Sequence, residues 1–240
     1  MAYSGNFVYL CLIAGFYPNV MKTIVELNAL LRKEMMLEWR RQSALGGVVL
    51  YLFSMVFLAY LAFDGRINTE TWNALFWLIL LFSAMNAIMK AFIQESERRH
   101  IFYYVMVSPA TFINAKIIYN TGLLIGLAIA GFLVFTAFLG NPVQSFFLFF
   151  INLIAGMVGF SSILCLVSAI ASRARNNFTL MAVLGFPLIL PLLLVLIRVS
   201  GQTIYGTTFS AVAPGLITTL LLTAIAITLS NVLFPYIWKD

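Results

Sequence analysis

Charged side chains are scarce in this sequence. Asp, Glu, Lys and Arg make up 9% of the 240 residues, where a soluble globular domain carries about 25%. With 62% hydrophobic residues and a mean hydropathy of +1.01, the chain cannot cover itself with polar surface. A soluble globular domain is excluded, and lipid is the natural solvent for what remains. Histidine occurs once, as His100. A haem or metal site would call for more imidazoles, so His100 reads as a surface or docking residue. Cys11 and Cys165 are far apart and both sit in apolar runs. They form neither a disulfide framework nor a spaced metal motif, and read as small packing residues. A GxxxxGK[ST] phosphate loop is missing, so the chain cannot hydrolyse nucleotide by that route. HExxH and paired carboxylates across a cleft are missing as well, and the sequence offers no catalytic constellation. The formal charge of +6 would point to nucleic acid in a soluble protein. Here the basic residues stand between apolar spans, which makes anionic phospholipid headgroups the expected partner and not nucleic acid.

What is present is a series of long apolar segments. The spacing predicts an all-α integral membrane protein with six spans, at about residues 46–63, 72–93, 116–139, 145–170, 178–197 and 211–234. Each is long enough to cross a bilayer at about 1.5 Å per residue, the shortest near the lower limit. Before them, residues 22–42 read as an amphipathic helix. Ile24, Leu27, Leu31 and Met35 follow three-and-four spacing, while Lys22, Glu26, Lys33, Arg40 and Arg41 point largely elsewhere. Ending in Trp39-Arg40-Arg41, it suits the headgroup layer. Residues 1–20 hold an apolar run of only eleven residues, 7–17, too short to span. They form either an interfacial or re-entrant piece or an extension ahead of a start at Met21, leaving residues 21–240 as the six-span transmembrane domain.

The connectors predict orientation. Twelve of the fourteen basic residues fall on the side of the amino terminus, with only Arg66 and Arg198 opposite. The positive-inside rule then places both termini in the cytoplasm. Residues 64–71 and 140–144 read as short external turns, and 172–177 as a basic internal one. Residues 198–210 read as a longer external connector, either a loop or two short helical pieces.

The interiors of the spans lack Asp, Glu and His, which argues against an ion-coupled carrier working alone. Asn86, Asn120, Asn152, Ser161, Ser162 and Ser168 lie within them. Interhelical hydrogen bonding is the simpler reading, and a polar path or partner groove the functional one. Gly122, Gly126 and Ala130 predict that one face of the third span is pressed against another helix, and Gly156 with Phe160 predicts close approach on the fourth. Pro187 and Pro191 should bend or loosen the fifth span, either as a hinge or as a static kink, and call for neighbouring protein over the freed carbonyls.

The most charged internal stretch is the connector between spans two and three. Residues 94–100 carry Glu95, Glu97, Arg98, Arg99 and His100, and residues 101–107 follow as an amphipathic run with Phe102, Tyr103 and Tyr104. Glu95 and Arg99 are four apart in the favourable acidic-then-basic order. Together with the helix at 22–42 and the basic turn at 172–177, this connector would form a platform on the inner face. Aromatic and arginine side chains are the usual anchors of an interface.

Three pieces carry a resemblance to a known family: LLRKEMMLEWRRQ before the first span, ESERRHIFYYVMVSPATFINAKI between spans two and three, and VLGFPLILPLLLVLI in the fifth. In this order, and with six spans, residues 21–240 resemble the haem exporter protein B family of cytochrome c maturation. The resemblance implies a permease-type subunit with the six-span ABC-2 exporter fold in a bacterial inner membrane. It implies a cytoplasmic ABC ATPase as partner, with ATP bound there and not on this chain. It further implies a haem-handling membrane subunit with its small helper, a periplasmic haem chaperone, and a second copy of the chain. ATP hydrolysis would then drive haem delivery or release of the haem-loaded chaperone, with no haem or other cofactor held directly by this subunit. By likeness to related transporters, Glu95, Glu97, Arg98 and Arg99, with Glu34, Glu38 and Arg40, are expected to couple to the ATPase. The alternative is an ABC-2 permease exporting a lipid, drug or polysaccharide; a purely structural scaffold is a third class.

Overall fold

A computed structural model describes residues 19–40, 42–93, 108–171 and 177–239. Among the described residues there are seven helices and no strand: α1 (Asn19–Arg40), α2 (Gln42–Ala62), α3 (Thr69–Ile93), α4 (Pro109–Leu139), α5 (Phe146–Ala171), α6 (Asn177–Ile204) and α7 (Phe209–Lys239). Five are long and apolar enough to cross a membrane, with spans Thr69–Met89, Pro109–Leu139, Phe146–Ala171, Val183–Ile204 and Phe209–Tyr236. The first of the six expected spans corresponds to α2, whose apolar stretch Gly46–Ala62 is shorter than eighteen residues.

Local chemistry sets the helix ends. Asn68 caps α3, its side-chain oxygen accepting from the Thr71 amide at 2.9 Å. Ser108 caps α4 in the same way, accepting from the Thr111 amide at 3.1 Å, and Pro109 opens the helix where no donor is needed. The third span therefore begins at Pro109 and not near residue 116, seven residues earlier than hydropathy alone indicated. It ends at Gly140, whose φ of 77° is open to glycine at little cost.

The expected connector at 198–210 is also corrected. Helix α6 runs on to Ile204 and α7 starts at Phe209, so four residues turn the chain. The polar stretch after Arg198 stays helical because its polar groups are buried and bonded. Ser200 and Thr203 are fully enclosed, and the Thr203 hydroxyl donates to the Ser200 carbonyl at 2.7 Å. Gly206, at φ 69°, reverses the chain.

Helix α5 is the axis of the bundle, packed by α3, α4, α6 and α7, while α2 rests on α3 and α4. Near its middle Gly156 and Gly159 let neighbours touch its backbone. A methyl group at Gly159 would meet Leu192 Cδ2 at 2.5 Å and Thr223 Oγ1 at 2.9 Å; at Gly156 it would meet Leu196 at 2.9 Å and Trp77 at 3.0 Å. Lipid tails are as apolar as these side chains, so such close van der Waals approach, more than removal from water, holds the helices together. The close approach expected at Gly156 and Phe160 is present, with Phe160 fully buried. The one expected at Gly122 and Gly126 is not: a methyl group at either would have nothing within 4 Å. That face of α4 points outward, because α5 and α3 occupy the side that carries Leu124, Ala128 and Phe135.

The outer surface suits hydrocarbon. On α2, Val48, Leu52, Val56 and Ala59 form the buried stripe, and Leu50, Phe53, Phe57 and Leu58 face out. Exposed hydroxyls return to their own helix, Ser54 to the Leu50 carbonyl, Thr218 to Pro214 and Thr228 to Ala224, each at 2.8 Å. This satisfies polar groups where no water would reach them. Pro187 and Pro191 lie inside α6 and are exposed on this outer surface among the described residues.

Candidate coupling site at the α1 end of the bundle

Helix α1 lies at the end of the bundle where α4 begins and α5 ends. Helix α1 packs on α4, with Leu30 in a small cluster that includes Phe112, Ile113, Cys165 and Phe234. Helical spacing puts Glu34 one turn beyond Leu30 on the same face. The apolar Met35, by contrast, is exposed. Glu34 therefore points at the bundle and not at water.

Lys116 explains that choice. Because α4 starts at Pro109, Lys116 is two turns inside it, and its side chain is 3% exposed. Its ammonium lies 3.3 Å from Glu34 Oε1, which Lys33 also approaches, at 3.0 Å. The same ammonium stands 5.8 Å from the centre of the Phe112 ring, and that ring stacks on Phe234 of α7 with centroids 5.9 Å apart. A buried ammonium is costly without a counter-charge, and Glu34 supplies one.

Deeper along the same face, Asn120 donates to Cys165 Sγ at 3.1 Å and Ser161 donates to the Ile117 carbonyl at 2.9 Å, joining α4 to α5. Asn231 of α7 donates to Asn114 Oδ1 at 3.0 Å, and Ser230 to the Ser162 carbonyl at 3.2 Å. From Glu34 inward, polar contacts thus link α1, α4, α5 and α7. Of the polar residues picked out within the spans, Asn120, Asn152, Ser161 and Ser168 make interhelical bonds, Ser168 by donating to Met181 Sδ at 3.4 Å. Ser162 bonds back to Val158 of its own helix, and Asn86 to Phe82.

The far end carries a second polar knot. Trp77 Nε1 donates to Ser200 Oγ at 2.7 Å, and Asn73 Nδ2 donates to the Ile197 carbonyl at 2.7 Å. Asn152 donates to the Leu196 carbonyl at 3.1 Å, and Trp72 Nε1 to the Gly140 carbonyl at 3.0 Å. These bonds tie α3, α5 and α6 together around a core of Trp72, Phe76, Phe135 and Phe149.

Of the expected coupling residues, Glu34 is brought to Lys33 and Lys116. Glu38 and Arg40 belong to α1, but their side chains lie outside the described residues. Glu95, Glu97, Arg98 and Arg99 lie outside the described residues altogether, as does His100. Lys116 was missed as a site residue. The Ser108-Pro109 cap was the signal that could have found it, since it moves the helix start outward and carries the lysine inside. Among the described residues, no group of three or more His, Cys, Asp or Glu comes together as metal ligands would.

Comparison with known proteins bears on this arrangement of helices. None of the curated proteins compared with the chain matches it. The family model described as CcmB protein matches residues 25–235, from within α1 to near the end of α7. That match covers nearly the whole chain and agrees with the haem exporter protein B resemblance. The chain therefore belongs to the CcmB family, membrane components of the haem-export ABC system of cytochrome c maturation.

Proposed function

We propose that this chain is the six-span membrane subunit, of ABC-2 type, that receives motion from a cytoplasmic ABC ATPase at its α1 end. It passes that motion through the bundle to haem delivery or to release of the haem-loaded chaperone. In this reading α2 is the first span, and both termini lie in the cytoplasm of a bacterium with the bundle in its inner membrane. ATP is bound and hydrolysed by the partner. The chain itself is not an enzyme and holds no cofactor; haem is cargo of the complex. The other partners are the haem-handling membrane subunit with its helper, the periplasmic chaperone and a second copy of the chain. Glu95, Glu97, Arg98 and Arg99 of the connector, with Glu38 and Arg40 of α1, would make the contact.

The observation that carries this reading is that α1 packs against α4, the helix that directly follows the connector 94–107. A load applied to either cytoplasmic element arrives at one span, and from there meets α5, the axis of the bundle. The distribution of basic residues supports the orientation. Purification from membranes in mild detergent, with identification of co-purifying chains, tests it. An ATPase subunit and a haem-handling membrane protein are expected in the preparation. A stable preparation without any ATPase subunit would refute it.

A further inference from the structure

We infer that Lys116 is a positioning residue for the coupling described above. Through Glu34 it locks α1 to α4, so that the interfacial helix and the span move as one body. The inference rests on the proposed function for its consequence, but the lock itself stands on geometry. Lys116 is buried within a helix able to span a membrane, and Glu34 lies 3.3 Å away on α1. Glu34 is 13% exposed, turned inward while the apolar Met35 and Met36 beside it face out. An amphipathic helix held only by lipid would keep its glutamate in water; here the carboxylate is turned onto α4.

Burial explains why such a pair acts as a lock and not as a surface ornament. An exposed ion pair exchanges its partner for water at little cost, and α1 could slide. Here, separating the helices would strip a buried ammonium of its Glu34 counter-charge beside the Phe112 ring. Intermediate positions of α1 are thereby disfavoured, and displacement of α1 must carry α4 with it. Beyond Lys116 the link continues by side-chain contact, through Phe112 to Phe234 on α7 and through Asn120 to Cys165 on α5.

The test separates the lock from its use. For the lock, the full chain is placed in nanodiscs with Leu30→Cys as a reporter and with Cys11 and Cys165 replaced by serine. Leu30 is 2% exposed, so a polar maleimide reaches a cysteine there only when α1 lifts. Glu34→Gln should raise the labelling rate by roughly tenfold or more, because the charge-assisted contact between α1 and the buried ammonium is lost. The double variant Glu34→Gln/Lys116→Met, which removes both charges, should label more slowly than Glu34→Gln. The exchange Glu34→Lys/Lys116→Glu should return to within about threefold of the unmodified reporter chain. Unchanged labelling in folded Glu34→Gln overturns the lock. Where Glu34→Gln fails to fold, an exchange variant that folds and stays slowly labelled supports the lock, and one that also fails overturns it.

For the use, the same pairs without the reporter are expressed in cells with the partner subunits. Glu34→Gln should lower cytochrome c yield by roughly tenfold while ATP hydrolysis by the purified complex stays within about twofold, with rescue by the exchange. A purely structural role would lower both together with protein level. Faster labelling with normal cytochrome c yield overturns the transmission of motion through Lys116 while leaving the family membership untouched.

Discussion

The indole nitrogen of Trp77 donates to the Ser200 hydroxyl at 2.7 Å, joining α3 to α6 across 123 residues of chain. Ser200 Oγ also stands 2.6 Å from Asn73 Oδ1 and 2.7 Å from the Leu196 carbonyl. Its single proton serves one of these at a time, while its lone pairs receive the indole. The serine is fully buried, so this knot fixes how two spans meet at the far end. The α1 end is held instead by an ion pair.

Ser200→Ala removes the acceptor and leaves the buried indole N–H without it. Hydrogen bonds between spans are worth about 0.6 kcal/mol on average and up to about 1.7, and an orphaned buried donor costs about 1–3. A loss of about 1–2 kcal/mol is expected, read by thermal unfolding in detergent. Adding Trp77→Phe to Ser200→Ala should cost less than the sum of the single changes, because the two share one bond.

Gly159 differs from Gly122 and Gly126 in what an added methyl group would meet. Gly159→Ala forces a methyl group to 2.5 Å from Leu192 on the axis of the bundle, and overpacking of this kind costs about 1–3 kcal/mol. Gly122→Ala and Gly126→Ala meet nothing within 4 Å, and alanine is the better helix former by about 1 kcal/mol. For the isolated chain, the melting temperature should fall with Gly159→Ala and hold or rise with the other two.

Charge reversal of the connector tests the docking reading directly. Arg98→Glu with Arg99→Glu should weaken co-purification of the ATPase and lower cytochrome c yield severalfold, since charged contacts at a partner interface govern specificity and encounter. The bundle should stay folded, with an unchanged melting temperature for the isolated chain. Undiminished association and yield would remove these residues from the interface.

Pro187 and Pro191 lie inside α6 and face outward. As a hinge they would be needed for motion and not for folding. Replacing both by alanine should leave the melting temperature unchanged or higher, since proline is disfavoured inside helices, and should lower cytochrome c yield. A full yield in this variant would make them a static feature.

Several elements were legible in the sequence because they depend on neighbours along the chain. The Gly140 stop, the α1 helix and the apolar runs of α3 to α7 are local. Close packing at Gly156 was also readable from residue size. The stretch after Arg198 was not, because its serine and threonines look like loop chemistry until Asn73 and Trp77 arrive from α3. The partner of Glu34 was hidden for the same reason: Lys116, 82 positions later, is what turns it inward.

By itself, the sequence determined that the chain is helical, lives with lipid and offers no nucleotide-binding loop of its own, because these follow from composition and short motifs. Tertiary structure alone decided which face of each span turns inward. In a soluble helix the polar face announces the outside. In these spans both lipid and core are apolar, so no contrast exists along the helix to be read. The direction is set by where small residues admit a neighbour, as at Gly159, and by where a distant partner waits for a buried polar group, as Ser200 waits for Trp77.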